Sequence, residues 1–148
     1  MIYGEVVGRS LQETGLWVKR LQMQHQRAAN AALEPLGLTI VQWDALRHLQ
    51  ANPGASLHDL AVLTFQTDQS MGALAARLVA GGHVVRVPGP GRAVHHELTD
   101  KGTELCADGA ATLHAVLSRS FAPLTPTQLR TLDTLLQLLV EDRPDGQR

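Results

Sequence analysis

Cysteine is nearly absent from this chain of 148 residues: there is one, Cys106. An internal disulfide and a CxxC metal ribbon are thereby excluded, which fits a reducing compartment. No window approaches the roughly 20 consecutive apolar residues that a membrane span needs. The opening MIYGEVVGRSLQ lacks both the basic and the apolar region of a secretory leader. A cytoplasmic location with no membrane partner is the expectation. An excess of charge of one sign is missing too. Thirteen Lys and Arg stand against 14 Asp and Glu, for a formal net charge of -1, so bulk electrostatics do not advertise nucleic-acid binding. Any such case must rest on local arrangement. There is no GxSxG, HExxH, P-loop or dinucleotide fingerprint and no clustered acid–base pair, so neither an enzyme nor a cofactor is expected. His25, His48, His58, His83, His95, His96 and His114 show no paired ligand spacing with a carboxylate or thiol, and no metal site is expected.

What is present is an ordinary globular composition, 44% apolar and 18% charged, at a length suited to a single domain over residues 1–148. Leu11, Gly15, Val18, Leu21, His25, Ala28, Ala29, Ala32 and Leu36 recur at helical steps, predicting a first helix from about Ser10 to Leu36, with Gly37 as its left-handed cap. Thr39 opens a second helix through Trp43, Leu46 and Leu49 that Asn52-Pro53-Gly54 stops. Ser56 and Asp59 form a variant capping box for a short third helix carrying Leu57, Leu60, Ala61 and Leu63, followed by a tight break at Thr64-Phe65-Gln66. Thr67 caps a fourth helix with an inward face of Met71, Leu74, Ala75, Leu78 and Val79, ended by Gly81-Gly82. The pattern then changes. Residues 83–88 are rich in β-branched residues, residues 93–98 are similar, and Pro88-Gly89-Pro90-Gly91 turns between them, which predicts a β-hairpin. Thr99 caps a fifth helix that runs towards Pro123, and Thr125-Pro126-Thr127-Gln128 opens a sixth that runs towards Pro144.

The fold class is therefore mainly α with a small β-hairpin (α+β). Two short helices joined by a tight turn and followed by a glycine-looped hairpin is the order of a winged helix-turn-helix, in which the second helix enters the major groove of duplex DNA. Thr67, Gln69, Ser70, Ala73 and Arg77 on the fourth helix are the candidate DNA contacts. Gln pairs with adenine, Ser donates or accepts, and Ala packs on a thymine methyl. Arg86 and Arg92 are the cations of the hairpin, and arginine at the loop tip suits a narrow minor groove. Solvated polarity is the competing reading of Gln69, Ser70 and Arg92, and His95 and His96 are expected to be solvent-exposed. From Ser56 to Gly102, Arg77, Arg86, Arg92 and Lys101 are balanced by Asp59, Asp68, Glu97 and Asp100, so the electrostatic grip is expected to be modest.

The run LTIVQWDALRHL, the segment SLHDLAVLTFQTDQSMGALAARLVAGGHVVR and the stretch GRAVHHELTDKG together resemble the multiple antibiotic resistance regulator (MarR) family over most of the chain. Gln42-Trp43 with Leu46 and Leu49, and Leu98-Thr99 with Lys101-Gly102, match two of its signatures. The resemblance implies a homodimeric transcription factor, most readily a repressor, on a palindromic operator. Residues 1–37 and 103–142 would be dimerisation helices, 39–102 the winged DNA-binding region and 143–148 a flexible tail. It also implies release by a small aromatic or phenolic effector. Trp17, His25 and Trp43, with Arg20 as a carboxylate partner, are the candidate lining, and core packing is the competing reading of both tryptophans. Some relatives sense peroxide through a first-helix cysteine, which is missing here; Cys106 reads as a buried structural thiol. The rival function is a winged-helix protein-interaction module that has lost DNA binding.

Overall fold

The computed structural model of the protein describes residues 8–89, 91 and 94–141. The chain divides into two compact units, Met1–Val116 and Leu117–Arg148. In the first, α1 (Leu11–Leu33) is followed by α2 (Ile40–Ala51), α3 (Leu57–Leu63), α4 (Asp68–Ala80), strands β1 (Val84–Pro88) and β2 (Val94–Leu98), and the start of α5 (Asp100–Phe121). The helix starts follow local chemistry. Ser10, Thr39 and Ser56 each accept the backbone N–H three residues on, and Glu13, Gln42 and Asp59 reach back to the cap's own N–H. The first helix ends earlier than its periodicity predicts, tightening into a 3-10 turn at Glu34–Leu36, because Pro35 has no N–H to continue the α ladder.

The core is centred on Leu33, Leu46, Leu60, Met71 and Val84, drawn from α1 to α4 and β1. On α4, Met71, Ala75 and Leu78 are buried and Leu74 and Val79 pack against the core. The α1 stripe behaves differently. Only its C-terminal end is buried, at Ala29 and Leu33, while Leu11, Leu16 and Val18 are exposed. Leu63 is likewise exposed, and the inward position after α3 falls to Thr64, whose hydroxyl donates to the Leu60 carbonyl at 2.6 Å.

The antiparallel hairpin pairs Val84 with Leu98, Arg86 with His96 and Val87 with His95. Opposed residues share a face, so Val84, Arg86, His96 and Leu98 lie on one side and Val85, Val87, His95 and Glu97 on the other. The expectation that both hairpin histidines are solvated is therefore corrected: His95 is half-buried and His96 is buried, because the register sends it inward with Val84.

In the second unit Pro126 starts α6 (Pro126–Glu141), where the Thr125 hydroxyl accepts the Gln128 N–H and the Gln128 side chain accepts the Thr125 N–H. Leu135, Leu136, Leu138, Leu139 and Val140 of α6 are all exposed. No helix among the described residues is long and apolar enough to cross a membrane.

The turn between α3 and α4 carries the only non-glycine with positive φ among the described residues: Phe65, at 56° and with its side chain 94% exposed. An L residue there costs about 1–2 kcal/mol, and this side chain has no packing to offset it. Glycine relieves that strain but adds about 0.5–1 kcal/mol of unfolded-chain entropy. Phe65→Gly is expected to gain about 0.5–1 kcal/mol net in urea unfolding. Equal or lower stability would mean that the bend is not strained.

Candidate nucleic-acid interface

Helix α4 presents two faces because its small and polar residues alternate with its core residues at helical spacing. Gln69, Ser70, Ala73 and Arg77 are exposed. Ser70, Ala73 and Arg77 fall on one side and, with Thr39, Val41 and Gln42 at the start of α2, line an open cleft of about 330 Å³. The three α2 residues were not among the sequence candidates; the signals at those positions, a helix start at Thr39 and the Gln42-Trp43 signature, do not indicate a surface.

Thr67 holds the helix start. Its hydroxyl accepts the Ser70 N–H at 3.0 Å and donates to Ser70 Oγ at 2.9 Å, which leaves the Ser70 hydroxyl as a donor to an outside acceptor. Thr67 is thus engaged as a cap. Asp68, which would repel a phosphate, meets His58 of α3 at 2.9 Å. The hydrogen bond to that carboxylate, and its charge, raise the His58 pKa. Nothing in local spacing links positions 58 and 68, so this pair was not legible in the sequence.

The hairpin is joined to α4 by side chains at the start of α5. Thr99 Oγ1 donates to the Gly82 carbonyl at 2.6 Å and accepts the Gly102 N–H at 3.1 Å; Lys101 Nζ donates to the Gly81 carbonyl at 2.9 Å. Lys101 is thereby committed to structure. Arg77 and Arg86 remain exposed, and Arg86 lies on the same hairpin face as His96. Arg92 and the tail 143–148 lie outside the described residues.

A helix capped at its start, packed on the helical core and followed by a two-stranded hairpin is the arrangement to compare with known proteins. The family model described as MarR family matches residues 36–93. The HTH-type transcriptional repressor Rv2887 of Mycobacterium tuberculosis H37Rv is 35% identical over 115 residues, covering 76% of this chain and 83% of that protein. The chain belongs to the MarR family. Solved structures of the M. tuberculosis MarR family protein Rv2887 agree. Its complex with DNA superposes with a TM-score of 0.74 at 30% identity, covering 88% of this chain and 98% of that one. Its complex with p-aminosalicylic acid gives 0.75 at 31% identity, with the same coverages. A MarR family regulator from Rhodococcus sp. RHA1 reaches 0.81 at 24% identity over 88% of this chain and 95% of that one, a likeness of fold.

Within this MarR family chain the effector candidates do not share one environment. Trp17 is 51% exposed on α1, and the guanidinium groups of Arg9 and Arg20 each lie 5.2 Å from its ring centroid. His25 is half-buried on the same helix. Trp43 belongs to the core: its indole N–H donates to the Cys106 carbonyl at 3.0 Å. A Cβ at Gly109 would run into its ring, so the absence of a side chain on α5 makes room for the tryptophan.

Cys106 is 4% exposed, and burial pushes its thiol pKa up, against a smaller opposing effect of Arg47. The folded protein is expected to resist an aromatic disulfide reagent and to react promptly only in denaturant. Immediate labelling of the native chain would show the thiol to be accessible.

Proposed function

We propose that this protein is a homodimeric, sequence-specific DNA-binding transcriptional regulator, a repressor rather than an enzyme, released from a palindromic operator by a small aromatic acid. What carries the reading is the division of α4 into a face packed in the core and an exposed face of Gln69, Ser70, Ala73 and Arg77. Gln69 would pair with an adenine edge, Ser70 would donate to a base or phosphate acceptor, and Ala73 would pack on a thymine methyl. Arg77, Arg86 and Arg92 would meet phosphates or the minor groove. Thr67 contributes by holding the first turn in place. The complexes of the M. tuberculosis relative with DNA, salicylic acid and p-aminosalicylic acid support extending both kinds of partner to this chain.

The exposed leucines of α1 and α6 support pairing with a second copy, since apolar faces of this kind are rarely left in water. A two-fold dimer would set its two α4 helices about 34 Å apart, one turn of DNA. The small number of uncommitted cations implies that base contacts supply much of the discrimination and phosphate contacts only a modest affinity.

Binding to promoter fragments across a salt series is expected to give a steep fall of log K with log salt. Arg77→Ala and Arg92→Ala should each make the slope shallower by about one unit. Gln69→Ala should relax preference at one base by about 1–3 kcal/mol while leaving nonspecific affinity nearly intact. A flat salt series would favour the protein-interaction module instead.

For the effector, the exposed Trp17 ring beside Arg20 supplies an aromatic surface and a carboxylate partner. Salicylate is expected to quench Trp17 fluorescence and to weaken operator binding. Arg20→Ala should reduce salicylate affinity by roughly 10-fold or more, the worth of one charge-assisted hydrogen bond. Unchanged affinity would remove Arg20 from the site.

A further inference from the structure

One buried polar group has no part in reading DNA or in pairing two copies. His96, in the middle of β2, is 6% exposed, and its Nδ1 has no hydrogen-bond partner among the described residues. It shares with Ala45, Leu49, Leu60, Met71 and Val84 a cavity of about 10 Å³. That is space for at most one water, and the apolar walls offer none of the two to four polar partners a buried water needs. The imidazole therefore serves as a core side chain that seats the hairpin on α2, α3 and α4.

Its electrical surroundings are one-sided. Arg86 stands opposite it across the hairpin and His95 is next along the strand, and both oppose a second positive charge. The Glu97 carboxylate, on the other face, is 3.0 Å from His95 Nε2. On α2, Asp44, Arg47 and His48 bond to one another. On α3, Asp59 is held by Ser56 and His58 by Asp68 of α4, while Arg77 of α4 opens onto the exposed cleft. No described carboxylate bonds to the His96 imidazole to stabilise a proton there.

We propose that His96 makes the seat of the hairpin proton-sensitive, so that mild acid lifts β1 and β2 from the helical core and disables DNA binding. The second half of this rests on the regulator reading above; the first half does not. Burial, then Arg86 and His95, holds the imidazole below its ordinary value of 6.5. The lifted state takes up a proton near that value and the seated state does not. Stability from this group is thus fully present above 6.5 and drains away as pH falls towards the lower, seated value. Across that window the ratio of seated to lifted hairpin falls by up to about tenfold per pH unit.

The test is hydrogen–deuterium exchange of the β1 and β2 amides in the full chain, from about pH 8 to about pH 5, alongside operator binding at constant salt. Wild type should lose hairpin protection by up to about tenfold per unit, after correction for intrinsic exchange, with operator affinity following. His96→Leu and His96→Gln, which cannot titrate there, should both lose clearly less protection than wild type, any remaining loss belonging to His83 at the foot of β1, which burial and then Lys101 also hold low. The same loss in both variants, or unchanged protection in wild type, would overturn the proposal. Should neither variant fold, the imidazole is followed by NMR in wild type. An imidazole that stays neutral until the hairpin amides open supports the seat, and one that titrates near 6.5 with protection intact refutes it. Protection that falls as expected while no operator is bound at any pH would sink the regulator reading and leave the seat standing.

Discussion

The arrangement of reading helix and hairpin hangs on a short backbone junction at residues 81–83 and 99–102. Here α4 ends, β1 begins, β2 ends and α5 begins, so four elements would compete for space if any of the residues were larger or differently bonded. Gly82, at φ 76°, turns the chain out of α4 without a Cβ penalty. A Cβ on Gly102 would collide with the His83 carbonyl, so only glycine lets α5 start this close to β1. Thr99 and Lys101 take up the carbonyls at the end of α4, where an ammonium is also favoured by the helix dipole. The leucine-threonine-x-lysine-glycine signature thereby has a physical content: it satisfies one helix end with the start of the next and sets the angle of the hairpin.

The junction also engages one of the few cations in this part of the chain. A lysine that reads as a free charge in the sequence closes a helix instead, and a threonine beside the reading face is held as its cap. The fourth helix can tolerate this because its outer face is built from small and neutral groups that admit close approach. Under the proposed function, such a face would discriminate by shape and base edges, with limited phosphate attraction. Phe65 fits less well with this economy: the bend before α4 is held in a left-handed conformation by a large, exposed side chain where glycine would be easier.

Most of the fold was legible because helix starts and turns are encoded within three or four residues. Ser10, Thr39, Ser56, Thr67 and Thr125 cap the helices that follow them, and the β-branched runs around the glycine-proline loop form the hairpin. The face of α4 was legible by the same rule, since the residues between its apolar positions are the exposed ones. The α1 stripe shows the limit of that rule, because periodicity reports that a face is apolar without saying what covers it. His96 was misread for a related reason: strand alternation puts His95 and His96 on opposite faces but does not say which face is inward.

Element order, caps and the identity of the exposed residues on the reading helix thus follow from the chain itself, being properties of near neighbours. The tertiary structure alone decided which polar groups are committed and which are available. The Trp43 indole finds its acceptor 63 positions away, the Lys101 ammonium 20 and the Thr99 hydroxyl 17. Burial of the His96 imidazole likewise depends on side chains from α2, α3, α4 and β1 together. Each of these outcomes is set by the desolvation and bonding of groups brought together by folding, and no pattern confined to one turn of helix or one pleat of strand contains that information.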